Sequence, residues 1–281
     1  FLFTIANLRR YIRFFGCDWS VAASMVRYAL PLIPTNIFWW ITNASDAFFI
    51  AYYLGQGANG LLTVAYKVPT IINLLAGIFS DAWQLSAFTE DQQGRTRFFR
   101  NVFASYQALI FTSASGLILL CKWINRILAY GEYYESWRFI PVLLLATSFS
   151  CLVSFLGTIY MLEKKSFATL VTTALGAGIN IILNMTLIPN FGVQGGVVAT
   201  LAGYLVVFTV RIIDTRRIVP LHWHPFKLLL NLALLGVQTY ILLTFETGWL
   251  LPEIGLCLVV TALNFRLLLQ NVQRLLMRRR S

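Results

Sequence analysis

Two charged residues stand in apolar surroundings where a charge is costly. Asp46 lies in one long apolar segment, nine residues before Gly55, and Lys67 lies in the next, seven residues after Gly60. The stretch between them, Gly55-Gln56-Gly57-Ala58-Asn59-Gly60, reads as a tight turn. If both segments are membrane helices running away from that turn, each charge sits about 10–13 Å below the same membrane face. A charge at that depth costs about 2.5–3.5 kcal/mol, so such residues face a bundle interior or a watery cavity and sit near a partner. The spacing therefore predicts that the Asp46 carboxylate meets the Lys67 ammonium across a polar hollow.

Polar residues repeat along these segments with helical spacing. Asn36, Asn43 and Asp46 form one stripe; Tyr66, Thr70, Asn73, Gly77, Ser80 and Gln84 form a second, flanked by Lys67 and Asp81. Thr169, Thr173, Gly176, Asn180 and Asn184 form a third. Interhelical hydrogen bonds, worth about 0.6 kcal/mol each on average, account for many such residues. Three parallel stripes and two intramembrane charges are better explained by a hydrophilic cavity. Gly195, Ala199 and Gly203, four apart, read as a close-packing seam.

No catalytic constellation is visible. A Ser/His/Asp or Cys/His site needs a histidine, and the only two, His222 and His224, lie in a loop beside Pro225 without a third metal ligand. Asp81 falls near the far end of its segment, away from Asp46, so paired carboxylates for acid–base work are absent from the spans. Gly55-x-Gly57-x-x-Gly60 matches a dinucleotide fingerprint literally, but that motif needs a short strand and a soluble βαβ unit around it. Cys17, Cys121, Cys151 and Cys257 are scattered, without a Cys-x-x-Cys, and read as small core residues. No metal and no cofactor are expected, and the chain does not read as an enzyme.

The elements that must hold these residues are membrane helices. The 281 residues are 58% hydrophobic and 12% charged, against about 45–50% and about 25% in soluble domains. Mean hydropathy is +0.71. The pattern predicts an all-α integral membrane protein with about eight spans, near 26–53, 60–85, 98–121, 139–161, 166–188, 194–213, 227–245 and 250–268. Lys and Arg fall mostly on one side of them: 18 of the 22 lie with Arg9, Arg95, Lys164, Arg211 and Arg278, against Lys122, Arg126 and Arg138 opposite and Lys67 within a span. By the positive-inside rule the crowded side, and both ends of the chain, are cytoplasmic. Topology thus explains the net charge of +11, and nucleic-acid binding is not expected. Phe1 to Leu8 is an apolar run without a leading methionine, and it reads as the tail of a preceding helix in a longer protein.

In combination, several pieces resemble the second half of the polysaccharide repeat-unit flippases of the MATE-like superfamily. They are Arg27-Tyr-Ala-Leu-Pro-Leu-Ile-Pro34, Asp46, Gly55, Ala65-Tyr-Lys67, Ala82-Trp-Gln84, Asn180, Asn184, Ile188-Pro189, Phe191-Gly192 and Gly195-Gly196. The resemblance covers roughly residues 1–220. It implies a helical tail and linker over 1–24, a six-helix second transporter lobe over 25–217, and two additional helices with a basic tail over 218–281, with a first lobe missing. The implied cargo is an undecaprenyl-diphosphate-linked oligosaccharide of O-antigen, capsule or exopolysaccharide type, moved across the bacterial inner membrane from the cytoplasmic to the periplasmic leaflet. Lys67 would offset the diphosphate, and Asp46 would hold Lys67 in the empty cavity or carry a coupling proton or cation. Asn36, Asn43, Tyr66, Thr70, Asn73, Asp81, Gln84, Asn180 and Asn184 would line the path, and Trp39, Trp40, Tyr66 and Trp83 would stack on sugars. Membrane lipids, and the polysaccharide polymerase with its chain-length machinery, are implied partners. A MATE-type antiporter of small cations and a lipid II flippase of the same superfamily are the alternatives.

Overall fold

A computed structural model describes residues 18–89, 92–217, 225–245 and 247–278. Among them are ten α-helices: α1 Trp19–Ala29, α2 Leu32–Leu54, α3 Gln56–Tyr66, α4 Pro69–Thr89, α5 Gln92–Leu128, α6 Ile140–Leu162, α7 Ser166–Phe191, α8 Val193–Thr215, α9 Pro225–Thr244 and α10 Leu250–Arg278. A 3-10 segment, Gly131–Arg138, joins α5 to α6. The expected helical tail over 1–8, the basic residues Arg9, Arg10 and Arg13, Cys17, and His222-Trp223-His224 all lie outside the described residues.

Five stretches are long and apolar enough to cross a membrane: Thr96–Leu128, Ile140–Leu162, Ser166–Phe191, Val193–Thr215 and Phe226–Thr244. The bent pair Gln56–Tyr66 and Pro69–Gln84 makes a sixth if taken as one span, while Leu250–Phe265 is a shorter apolar helix. The expected eight are therefore present as helices, but not all as uniformly apolar ones. At 23 residues, α2 is about 35 Å long; its Asn, Thr, Ser and Asp residues are what keep it from the apolar set.

Helices α5 and α10 run past the expected 98–121 and 250–268, to Gln92–Leu128 and Leu250–Arg278, and three further boundaries around the site differ from expectation. The first segment is split: α1 stands apart, with Asp18 capping it by accepting from the Ser20 backbone N–H at 2.9 Å. The Ser20 bonds hold the Asp18 carboxyl below the usual carboxylate range. Pro31 then starts α2 afresh, since a proline fits the opening of a helix but not its interior. The expected six-residue glycine turn shrinks to Gly55, whose φ of +87° suits glycine alone; Gly57 and Gly60 lie inside α3. Gly60 is small because Tyr133 of the 3-10 segment crosses it, and a Cβ there would stand 2.7 Å from the Tyr133 ring. The second segment is also broken, with a 41° bend between α3 and α4. Pro69 lacks an N–H and crowds the carbonyl four residues back, so the chain turns at Lys67–Val68.

At the centre lies α6, most of it buried. It packs on α4, α5 and α8, and α8 packs on α7, which in turn holds α2. The α7–α8 contact is close because both sides are glycine: a Cβ on Gly176 would lie 2.3 Å from Val207 Cγ2, and one on Gly203 would lie 3.3 Å from the Gly176 carbonyl. The helices turn back on each other at Gly192, φ +62°. Outside this bundle, α9 and α10 pack on α5. Ser115 of α5 donates to Gln238 of α9 at 2.8 Å, and Gln238 donates to Glu253 of α10 at 3.0 Å. Glu253 is fully buried; this bond satisfies Oε2, while Oε1 has no hydrogen-bond partner among the described residues.

Candidate functional site: a carboxylate tied to four helices

Asp46 is fully buried on α2. Its carboxylate accepts from Tyr66 OH at 2.9 Å, Asn184 Nδ2 at 2.7 Å and Asn180 Nδ2 at 3.2 Å. A fourth donor is the Thr200 hydroxyl. The donors come from α3, α7 and α8, so this one side chain joins four helices. Asn180 and Asn184 reach it together because residues four apart share a helix face. Further bonds fix the amides: Ser45 Oγ donates to Asn180 Oδ1 at 2.6 Å, and Asn184 Nδ2 also lies 3.3 Å from Ser45 Oγ. Asn184 Oδ1 is buried without a hydrogen-bond partner.

The expected Asp46–Lys67 pair is not formed. Lys67 is exposed at the α3–α4 break and makes no ion pair with Asp46. The reason is geometric: consecutive residues on a helix point about 100° apart, so only one of Tyr66 and Lys67 can face α2. Tyr66 takes that place. Among the described residues every donor to Asp46 is neutral, so four hydrogen bonds compensate its burial in place of an ion pair.

Beside this cluster is a cavity of about 280 Å³. Trp39, Asn43, Tyr66, Thr70 and Asn73, five of the anticipated residues, line it, with Thr200 and Tyr204. Tyr66 and Thr200 form both the cavity wall and the bonds to Asp46, so the carboxylate lies directly behind the lining. Tyr204 stacks on Trp39 with centroids 5.8 Å apart and donates to Asn43 Oδ1 at 3.4 Å. The other anticipated residues lie elsewhere. Asn180 and Asn184 sit behind the wall with Asp46 and are not part of the lining. Asn36 and Asp81 are exposed, and neither lines the cavity. Trp83 is buried in aromatic packing, its ring 4.5 Å from Phe155 and edge-on to Phe99 at 5.8 Å. It is a core residue and cannot stack on a sugar there. Trp40 is 70% exposed on the bundle's outside. Gln84 is half-buried, 3.4 Å from Thr158 Oγ1.

Residues that the sequence reading passed over complete the chamber. Thr147, Ser150 and Ser154 of α6 line it at helical spacing, a fourth polar stripe that could have been read from the sequence. Arg211, counted above among loop cations, is instead buried in α8. Its guanidinium donates to Thr172 Oγ1, Thr173 Oγ1 and the Val153 carbonyl at 3.0, 3.0 and 2.9 Å, fastening α8 to α7 and α6. Among the described residues no cluster of His, Cys, Asp and Glu could hold a metal ion.

Helices long enough to span a bilayer, enclosing a polar chamber with a carboxylate behind its wall, define a multi-pass membrane protein. A family model described as polysaccharide biosynthesis protein matches residues 1–138. The solved structure of the lipid II flippase MurJ, in its inward closed conformation, shares the fold with a TM-score of 0.65 at 17% identity. That match covers 96% of this chain and 59% of the MurJ chain, so this chain spans less than two thirds of that protein's length. No curated protein matches it.

Proposed function

We propose that this chain belongs to a transporter, not an enzyme, that flips an undecaprenyl-diphosphate-linked polysaccharide repeat unit from the cytoplasmic to the periplasmic leaflet of the bacterial inner membrane. The observation that carries the reading is the polar chamber inside an apolar bundle, backed by a carboxylate shared among four helices. Buried polar groups in a membrane are expensive, and a polar cargo gives them a use. The match to polysaccharide biosynthesis proteins and the MurJ-like fold support the same class.

The two charges take separate parts. Asp46, paired with no basic residue among the described ones, is the carrier of a coupling proton or cation: loading it would alter the bonds to α3, α7 and α8 together. Lys67 stands at the break between the cavity residues Tyr66 and Pro69 and offers its ammonium to the diphosphate. At about 280 Å³ the chamber falls just below the usual range for small-molecule sites, about 300–1,000 Å³. A whole repeat unit therefore needs a wider state, and alternating access supplies one. Lipid II is the second candidate cargo, favoured by the MurJ-like fold. The deciding experiment is complementation of a repeat-unit flippase-null strain and of a lipid II flippase-depleted strain with the full-length gene, assaying lipid-linked intermediates by leaflet. Restored surface polysaccharide supports the first cargo, and rescue of the second strain alone supports lipid II. Rescue of neither by a correctly inserted protein overturns the reading.

A further inference from the structure

A second cavity, of about 480 Å³, opens where the end of α5, the 3-10 segment and the α9–α10 connection meet. Lys122, Arg126 and Arg138 line it, beside Trp123, Trp137 and Trp249. These are the three basic residues that the sequence assigns to the face opposite the basic loops, and all of them converge on one cleft. Charges serving only to be solvated have no reason to gather in this way.

The aromatic part is equally specific. Lys122 Nζ lies 4.3 Å from the Trp137 ring centroid and 4.5 Å from that of Trp249, while Trp249 packs against Trp123 at 5.4 Å. Indoles at this level belong to the membrane–water boundary, where headgroups lie. The site is not purely cationic. Arg138 pairs with Glu135 at 2.7 Å, and Glu253 is within electrostatic range of Lys122. Arg126 is exposed and makes no ion pair among the described residues. Leu242, Leu243 and Phe245 give the cleft an apolar border.

We infer that this cleft binds the phosphate of an amphiphile's headgroup at the membrane surface. Arg126 and Lys122 meet the phosphate, the indoles cover the adjoining sugar or glycerol, and the apolar border receives the start of the chain. A guanidinium fork matches phosphate oxygens, and basic pockets between membrane helices suit such headgroups. The cleft shares no residue with the Asp46 chamber, and its binding does not require that the protein flip the ligand.

The test is native mass spectrometry of the purified full-length protein, titrated separately with phosphatidylglycerol and with undecaprenyl diphosphate. Losing one charge-assisted hydrogen bond weakens binding by about tenfold or more. That loss is expected in Arg126→Gln, and Lys122→Gln should reproduce it, with thermal melting confirming that both variants remain folded. Arg126→Lys should recover part of the affinity, and Lys227→Gln, outside the cleft, should leave it unchanged. A loss confined to undecaprenyl diphosphate assigns the cleft to a lipid-linked diphosphate, and a loss confined to phosphatidylglycerol assigns it to bulk anionic lipid. Unchanged affinity for both lipids in folded Arg126→Gln protein overturns the inference.

Discussion

At Asp46, removing the carboxylate and merely neutralising it should have different consequences. Asp46→Ala leaves Tyr66, Asn180, Asn184 and Thr200 facing a void, and buried polar groups without partners cost about 1–3 kcal/mol each in soluble proteins. Membrane hydrogen bonds average less, about 0.6 kcal/mol, so the four together should cost roughly 2–4 kcal/mol of resistance to SDS unfolding. Asp46→Asn keeps the volume and one acceptor oxygen, so the protein should insert and fold yet lose export. An exporting Asp46→Asn strain would remove Asp46 from the coupling step. Lys67 is exposed, so Lys67→Ala should not lower stability but should abolish export, and Lys67→Arg should retain it if a cation is all that is needed. Normal surface polysaccharide with Lys67→Ala would rule out its part in handling the diphosphate. The four-residue spacing of Asn180 and Asn184 in an apolar helix marked a polar stripe, but not that the stripe faces Asp46 from behind the cavity wall. Thr200 and Ser45 were not legible, since hydroxyls on helices commonly bond their own backbone, as Thr42 does to the Phe38 carbonyl at 2.9 Å. The sequence could not show whether Tyr66 or Lys67 would turn toward α2.

Between elements, glycines decide how closely the helices approach. A Cβ on Gly195 would lie 2.3 Å from the Leu187 carbonyl oxygen, a backbone atom that cannot rotate away. Gly195→Ala must therefore push α8 off the end of α7, at a cost of about 1–3 kcal/mol. On α7, Gly178 has no heavy atom within 4 Å of such a Cβ, and alanine is the better helix former by up to about 1 kcal/mol. Gly178→Ala should thus be neutral or stabilising. Thermal melting of the two variants in one detergent checks the contrast, and equal melting temperatures would mean that the α7–α8 corner is looser than described. Spacing alone marked Gly195, Ala199 and Gly203 as a seam, but it could not mark Gly178 as free, because that depends on the neighbouring helix. Helix positions were similarly legible where apolar runs end in charged or Pro-Gly stretches. They were misjudged at Pro31, where proline restarts the helix within an apolar run, and at Pro69, where Lys67 was taken as a charge within one continuous span. Arg211 was misread for the related reason that a charge near the end of an apolar run looks like a loop residue, whereas three neutral acceptors hold it inside.

Over the whole molecule, the distribution of charge makes a directional claim. Tyr130, 96% exposed beside the 3-10 segment, and Lys165, exposed between α6 and α7, stand at opposite ends of the 23-residue helix α6. That helix is about 35 Å long, enough to cross the roughly 30 Å hydrocarbon core. In the chain Tyr130 falls between the cleft residues Arg126 and Arg138, while Lys165 belongs to the basic side, so the positive-inside rule predicts that Tyr130 lies outside the cytoplasm. Single cysteines at the two positions, in a background with Cys17 and Cys257 replaced by serine, test this with a membrane-impermeant maleimide. The native Cys121 and Cys151 are buried and should stay unlabelled. Tyr130→Cys should react in intact spheroplasts, and Lys165→Cys only after the membrane is opened. The reverse pattern would invert the protein and move the cationic cleft to the cytoplasmic leaflet, where a lipid-linked sugar begins its passage. Labelling of both from outside would mean that α6 does not cross the bilayer, and the chamber behind it would then lie in no path between leaflets.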